Sequence, residues 1–256
     1  KFEKAAWVAG VTRPLQVQIM EKTGFPASKA PVSAMGVDTA RFSPISRPAN
    51  EIPRIVTIAR LIPQKGHEFA LRVLGALKRS GVAARYTIVG DGPVRSELEQ
   101  TVEQLQLGDM VEFVGNTAED RVLEILRSSD IFLLPSYGLG EAAPVSLMEA
   151  MSCGLSVICS EIGGTRDMIN DGVDGILIPQ RSDSALKFAL TELLTSRETR
   201  DALGAAARER AVTKFDYHLS AGLLLRQIQP AHPSQSRERE SEEISLPEAA
   251  CLAKTH

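Results

Sequence analysis

Two basic residues with four positions between them, Arg60 and Lys65, precede Gly66 in a short segment between an apolar run and an amphipathic one. If the apolar run is a strand and the amphipathic run a helix, the loop exposes backbone N–H groups and the positive end of the helix dipole, so an anion can bind there. Two cations on that loop suit a diphosphate. The alternative is that Arg60 and Lys65 are ordinary solvated surface charges.

A second candidate site follows the apolar run at residues 131–134. Glu141 stands just before a predicted helix, and Glu149 stands about two turns along it, with seven residues between them. Pro144 suits the first turn of that helix, where its missing N–H costs little. The helix is otherwise apolar nearly all round, and a carboxylate among apolar neighbours is costly unless it has partners. We expect both glutamates to accept hydrogen bonds from ligand hydroxyls at one mouth of a sheet; an exposed helical Glu149 is the alternative.

Glycine-containing turns end three further predicted strands. They are Gly90-Asp91-Gly92-Pro93, Gly115-Asn116 after Val114, and Gly163-Gly164. Each alone indicates no more than a turn, because glycine is the residue that most readily adopts such backbone conformations. Together with the loops above, along one sheet edge, they would form a single crevice.

The pattern from residue 54 onward alternates short apolar runs with longer amphipathic ones, which is typical of βαβ units. It predicts an α/β fold with a doubly wound, Rossmann-like parallel sheet. The predicted strands are residues 55–59, 86–89, 111–114, 131–134, 157–159 and 176–178. Residues 197–214 and 217–229 are predicted to form two closing helices.

Length and composition limit the class of protein. A chain of 256 residues with 43% hydrophobic residues can bury one good-sized core. A net charge of -3 argues against a nucleic-acid surface. The three cysteines lack metal-ligand spacing, so we expect neither a zinc site nor a disulfide framework, and a reducing cytoplasm fits best. We expect a soluble protein, because no apolar stretch approaches the length of a membrane span.

The domain layout is predicted from changes in composition. Residues 1–47 carry a predicted buried strand at 7–11, a helix at 14–23 and a strand near 31–35, which is too little to fold alone and suggests the remnant of another domain. Residues 48–53, at the end of a proline-containing stretch, are the predicted linker. Residues 54–229 form the main domain, and the polar residues 230–256 are predicted to be a disordered tail.

The order of these motifs resembles the carboxy-terminal domain of retaining, GT-B fold glycosyltransferases of family 4. The resemblance covers roughly residues 33–225, and its most specific feature is the pair of glutamates with seven residues between them. Residues 141–146 further resemble enzymes that build bacterial exopolysaccharides of the colanic acid type. Two departures are Ser156, where the family usually has proline, and Asp167, where it has glutamate.

The resemblance implies a role for each matched residue in binding a nucleotide sugar. Arg60 and Lys65 would hold the diphosphate, Glu141 would face the donor hexose, and Glu149 would bind the ribose hydroxyls. The first three are the candidate catalytic residues. The segment Ala142, Ala143, Pro144 and Val145 would offer backbone N–H groups, and Gly90, Asp91 and Val114 would line the donor crevice. Gly36, in a Gly-Val-Asp turn, would mark the end of the first domain, whose glycine-rich loop and acceptor-side histidine have no counterpart in this chain.

The reaction implied is hexosyl transfer from a nucleoside-diphosphate sugar to a glycan or lipid-linked acceptor. No Asp-x-Asp motif occurs, so we expect neither a metal nor a cofactor, with the nucleotide sugar as substrate. The expected location is cytoplasmic, with peripheral association at the inner membrane face. His67 is interpreted as a surface histidine at a helix start.

Two other functions remain open at this point. The first is a catalytically incomplete nucleotide-sugar-binding module or split-enzyme subunit, with a first domain supplied in trans. The second is a nicotinamide-dependent oxidoreductase, which the absence of Gly-x-Gly-x-x-Gly after the first strand of the main domain disfavours.

Overall fold

A computed structural model describes residues 5–138 and 141–228 of the chain. Within these ranges, six parallel strands form one sheet in the order β3-β2-β1-β4-β5-β6. The strands are β1 (Arg54–Ile58), β2 (Arg85–Val89), β3 (Val111–Gly115), β4 (Ile131–Leu134), β5 (Ser156–Ser160) and β6 (Ile176–Ile178). All six predicted strands are confirmed, and the strand order reverses between β1 and β4, which is the switch point where open α/β sheets bind ligands. The predicted tail at residues 230–256 lies outside the described residues.

Nine α-helices connect or flank these strands in the part of the chain that the structure describes. They are α1 (Arg13–Thr23), α2 (His67–Arg79), α3 (Arg95–Gln104), α4 (Glu119–Ser128), α5 (Val145–Ser152), α6 (Thr165–Met168), α7 (Asp183–Thr195), α8 (Arg197–Lys214) and α9 (Tyr217–Ile228). Serine begins two of them: Ser182 Oγ accepts the N–H of Ala185, and Ser196 Oγ accepts that of Thr199. These caps satisfy N–H groups that the first helical turn leaves free, so they fix where α7 and α8 start.

The core consists of two layers, one on each face of the sheet. Alternate strand residues point to opposite faces, so Ile55 packs with apolar residues of α2, α3 and α7, while Val56 packs with those of α4, α5 and α8. Burial of each such side chain contributes roughly 1.5–3 kcal/mol. Because both faces are covered, the sheet can present ligand-binding groups only at its edges and at its strand ends.

A chain of two hydroxyl groups crosses the three central strands inside the core. Thr57 Oγ1 donates to the carbonyl of Leu133 at 2.5 Å and lies 2.8 Å from the hydroxyl of Tyr86. The carbonyl can only accept, so the Thr57 proton goes to Leu133 and the Tyr86 hydroxyl donates to Thr57. Both side chains are fully buried, and burial raises the pKa of Tyr86, against a smaller lowering by Thr57.

Two of the three cysteines lie in the layer that packs on α5. Cys153 and Cys159 are both buried and form no disulfide. Desolvation raises the pKa of Cys153 to about 12, and it also raises that of Cys159. Both thiols therefore stay protonated in the native protein.

The amino-terminal segment differs from the prediction. Residues 7–11 and 31–35 do not form regular strands; they pair in parallel through a single bridge between Gly10 and Val32. Trp7 is half-buried and not, as predicted, within a buried strand, because the paired segments have no further strand beside them among the described residues. The predicted helix at 14–23 is present as α1, whose first N–H, that of Arg13, donates to the Asp167 carboxylate at 2.8 Å.

The proline-containing stretch before β1 is held against the start of β4. Arg47 donates to the carbonyls of Arg127 and Ser129 and forms a 2.7 Å ion pair with Asp130. The other Asp130 carboxylate oxygen accepts the amide of Asn50 and the backbone N–H of Arg54. These contacts tie residues 47–54 to β4 and fix how the chain enters β1.

No helix in the described ranges combines the length and hydropathy needed to cross a bilayer. Among those same residues, no group of three or more His, Cys, Asp or Glu side chains is arranged to hold a metal ion.

Candidate functional site

The loop after β1 carries the two predicted phosphate-binding cations. Arg60 is exposed, and Leu61, the next residue, is fully buried and anchors the loop through its N–H, which donates to the carbonyl of Asp91. A short 3-10 turn, Pro63–Lys65, then leads to Gly66, which has a φ of 74° and directly precedes α2. The loop therefore carries both cations at the carboxyl end of the central strand, with Arg60 exposed and Lys65 half-buried.

Gly66 joins the β1 loop to the loop after β4. A Cβ atom at this position would lie 2.1 Å from the carbonyl oxygen of Pro135, which is far inside van der Waals contact. A second contact is the N–H of Tyr137, which donates to the carbonyl of Gln64 at 2.8 Å. The two loops that flank the switch point are therefore packed backbone to backbone, and only glycine fits where they meet.

Lys65 and Glu141 form an ion pair across these two loops, and the Ser136 hydroxyl donates to the same Glu141 oxygen at 2.7 Å. Only 7% of the Glu141 side chain and 21% of the Lys65 side chain are exposed. A carboxylate so far out of water needs both charge and hydrogen-bond partners, and here it has one of each. The structure thus brings together two of the residues that the sequence singled out.

Glu149 lies apart from that pair. Helix α5 begins at Val145 with Pro144 as the residue before it, so Glu149 is one helical turn from the start, not two, and Pro144 does not lie within the first turn. The Glu149 side chain is half-buried, and the charges that act on it are those of Glu119 and Arg41, not those of Lys65 or Glu141. Burial and, to a smaller extent, Glu119 raise its pKa to about 7, whereas Arg41 acts in the opposite direction.

The Gly90–Gly92 turn packs directly against the β1 loop. Gly90 has a φ of 126°, and a Cβ there would lie 2.1 Å from the carbonyl oxygen of Ala59; the corresponding distance from Gly92 to the Leu61 oxygen is 2.3 Å. Asp91 is exposed and accepts the N–H of Gly92. The glycines are therefore required by the close approach of two loops, a reason that the sequence did not provide. Val114 is half-buried near the end of β3, on the same edge.

A second pair of glycines supports the segment that carries Glu141. A Cβ on Gly163, whose φ is 56°, would lie 1.6 Å from the carbonyl oxygen of Glu141, and one on Gly164 would lie 2.3 Å from that of Ala142. The loop at residues 141–142 thus rests on the Gly163-Gly164 backbone. Beyond it, Ala142 is exposed, Ala143 is half-buried, and Val145 opens α5, whose start has no side-chain cap. Pro144 itself has no N–H to offer.

Gly36 lies in a different environment from the other predicted binding residues. A Cβ at Gly36 would lie 2.4 Å from Cα of Tyr217, at the start of α9. The next residue, Val37, exchanges backbone hydrogen bonds with Phe215 and Tyr217. The structure therefore packs this turn against the junction of α8 and α9.

His67 is buried, so its interpretation as a surface residue was wrong. It is 1% exposed, and its Nε2 lies 3.1 Å from the carbonyl of Arg60, which makes Nε2 the protonated nitrogen of the neutral ring. Desolvation first, and the Lys65 charge second, lower its pKa to about 4, although the Arg60 contact acts in the opposite direction. The His67 ring thus contacts the loop backbone at Arg60, and no pattern in the sequence indicated this burial.

A cavity of about 330 Å³ opens beside this loop, between α2, α3 and the segments that carry Tyr137 and Arg181. His67 contributes to its wall, but Arg60, Lys65, Glu141 and Glu149 do not. Ile62, Pro63 and Gly66 of the β1 loop also line this cavity, so it adjoins the candidate site but excludes the four predicted charged residues.

The sequence model of the family described as "Glycosyl transferases group 1" matches residues 38–210. The chain belongs to this family, which agrees with the parallel sheet and with the resemblance found in its motifs. The match includes both cations of the β1 loop and both glutamates.

Several curated glycosyltransferases are similar to this chain. The putative colanic acid biosynthesis glycosyltransferase WcaL of Salmonella typhimurium is 36% identical over 203 residues, which are 77% of this chain and 50% of that protein. The amylovoran biosynthesis glycosyltransferase AmsK of Erwinia amylovora is 35% identical, over 77% of this chain and 50% of that protein. The chain spans about half the length of these relatives.

Solved structures share the fold. Anabaena Alr3699/HepE, solved in complex with UDP and glucose, aligns with a TM-score of 0.77 and 20% identity over 88% of this chain and 63% of that one. A C-terminal domain of a glycosyl transferase group 1 family protein from Francisella tularensis aligns with a TM-score of 0.63 and 23% identity, over 71% of this chain and 99% of that one. These likenesses confirm the Rossmann-like fold of the GT-B type.

Proposed function

We propose that this chain forms the donor-binding part of a glycosyltransferase that moves a hexose from a nucleoside-diphosphate sugar to a glycan or lipid-linked acceptor. The observation that carries the proposal is the Lys65–Glu141 ion pair at the switch point, on the loop that also displays Arg60. This arrangement supports the proposal, because cations suit a diphosphate and a carboxylate suits the hydroxyl groups of a sugar. The names of WcaL and AmsK support a role in exopolysaccharide biosynthesis.

The mechanism follows from where charge develops during the transfer. As the bond from the anomeric carbon to the phosphate breaks, negative charge grows on the leaving diphosphate, and Arg60, Lys65 and the uncapped start of α5 would stabilise it. Glu141 would accept hydrogen bonds from the hexose hydroxyls and Glu149 from the ribose. We infer that the cations replace a metal in this role, and that the acceptor attacks from the face that the phosphate leaves, with the phosphate taking its proton and the configuration retained.

Calorimetric titration tests the site. UDP-glucose and GDP-mannose are the first probes, because HepE was solved with UDP and glucose and a Mycobacterium tuberculosis relative is named as GDP-mannose-dependent. We expect Arg60→Ala and Lys65→Ala each to weaken binding at least tenfold, the value of about 1.5–3 kcal/mol for a charge-assisted hydrogen bond. EDTA should change nothing.

The matched controls are Lys78→Ala and Arg79→Ala, which likewise remove one lysine and one arginine, but from the last turn of α2, at the end away from the candidate site. Both should bind as the unaltered chain does. Donor binding that survives loss of both Arg60 and Lys65 would contradict the site assignment.

The alternative, a module that binds nucleotide sugars without transferring them alone, uses the same residues. Catalytic turnover distinguishes it from the first proposal. Donor hydrolysis and sugar transfer are measured on this chain and on a form extended upstream. Turnover by this chain alone would exclude the alternative. Association with the inner membrane face and partnership with a domain in trans remain proposals, to be tested by vesicle flotation and by co-purification with that domain.

A further inference from the structure

The Glu141 carboxylate has two partners of different character. Lys65 reaches it from the β1 loop, on a long side chain that is 21% exposed. Ser136 reaches it from directly beyond β4, on a short side chain within a residue that is 1% exposed. The first partner is charged and partly exposed; the second is neutral and buried at the end of a core strand.

A bound diphosphate would compete for the first partner. If Lys65 turns its charge towards the phosphates, the nearly buried Glu141 carboxylate loses most of its compensation in the same step. Ser136 would then be its remaining partner among the described side chains. The backbone around Ser136 cannot easily follow Lys65, because Pro135 is in contact with Gly66, and the Glu141 carbonyl rests on Gly163.

We propose that Ser136 is a positioning residue that holds the Glu141 carboxylate towards the donor hexose while Lys65 binds the diphosphate. This inference rests on the proposed function and deepens it. It follows that the Ser136 hydroxyl determines how much the sugar adds to donor affinity, and does not affect the affinity for the nucleoside diphosphate.

The experiment compares the ratio of affinities for UDP-glucose and UDP, and for GDP-mannose and GDP, in calorimetric titrations of Ser136→Ala. We expect the nucleoside diphosphate to bind within twofold of the unaltered chain, and the ratio for the preferred donor to fall about tenfold. Ser136→Cys, which fills the space but donates weakly, should lower the ratio in the same direction.

Two further variants sharpen the result. Ser160→Ala removes a buried serine hydroxyl that lacks a hydrogen-bond partner in the described part of the chain, and it should leave the ratio unchanged. Glu141→Gln should lower the ratio by itself, and adding Ser136→Ala to it should cause little further loss, since both changes remove one contact.

The outcomes separate the two proposals. A ratio that stays at its normal value in Ser136→Ala overturns the positioning role alone, and so does an equal loss of UDP and UDP-glucose binding. If the unaltered chain binds none of the four probes, the proposed function fails and this inference fails with it.

Discussion

Burial raises the pKa of Glu149 and lowers the pKa of His67. The pKa of Glu149 rises from its usual value of 4.5 to about 7, and that of His67 falls from 6.5 to about 4. A raised carboxyl pKa gives stability that is present below pH 4.5 and lost as the pH rises to 7. A lowered imidazole pKa gives stability that is present above pH 6.5 and lost as the pH falls to 4. The two slopes oppose each other over nearly the same pH range, so the contributions of these two groups to the pH dependence of stability largely cancel.

Replacing Glu149 by glutamine isolates one of these slopes. The variant keeps the shape but cannot ionise, so its free energy of unfolding relative to the unaltered chain should rise by up to about 2.5 kcal/mol between pH 5 and pH 8. Urea unfolding at the two pH values measures the difference. Glu112→Gln, which alters an exposed glutamate on β3, should show no such change. A difference that is equal at both pH values would mean that folding does not raise the pKa of Glu149.

At the residue scale, the sequence predicted which residue types stand at the candidate site better than it predicted the burial and contacts of each side chain. The cost of placing Glu149 among apolar neighbours was visible because a helix's periodicity reveals its faces. The burial of His67 was not, because it depends on a loop that folds back over the ring, and no periodic pattern marks a loop. Nothing in the sequence indicated a role for Ser136, because its contact with Glu141, five positions further on, depends on how the loop after β4 folds.

At the scale of elements, Gly66 determines how two loops meet, and an alanine substitution tests this. Gly66→Ala combines a strained φ with a backbone clash at Pro135, and should destabilise the chain by at least about 3 kcal/mol. Gly81, which follows α2, has a nearly equal φ of 79° but open space around it, so Gly81→Ala should cost only about 1 kcal/mol. Urea unfolding of both variants measures the difference. Equal losses would show that the loops can separate at no cost.

The elements of the main domain could be predicted because each strand is a short apolar run and each helix an amphipathic one. The structure of the two extended stretches before residue 36 could not be predicted, since both look like strands but pair through one bridge only. The turns at Gly90, Gly115 and Gly163, by contrast, could be predicted as turns. What each glycine faces depends on a neighbouring loop, which local sequence does not specify.

At the scale of the whole molecule, the hydroxyl chain from Tyr86 through Thr57 to Leu133 links the three central strands. Thr57→Val should cost about 2 kcal/mol, because it leaves the buried Tyr86 hydroxyl without a partner. Tyr86→Phe should cost only about 1 kcal/mol, since Thr57 can still donate to Leu133. The double variant should be less destabilised than the sum of the two. Strict additivity in urea unfolding would show that the two hydroxyls act independently.

The sheet as a whole followed from the sequence, since alternating βαβ units allow few topologies once right-handed crossovers are required. The hydroxyl chain did not, because it joins residues that are far apart in sequence and adjacent only after the strands pair in register.

Because Cys153 and Cys159 are buried, their reaction with an alkylating reagent can report transient local unfolding of the native chain. Neither sulfur is accessible or ionised while the strands are closed, so alkylating reagents can modify them only during excursions that expose the sheet. The modification rate of each cysteine, resolved by mass spectrometry, therefore measures how often the end of α5 and strand β5 open locally. Ligands that bind at the switch point and stabilise the closed sheet should lower these modification rates.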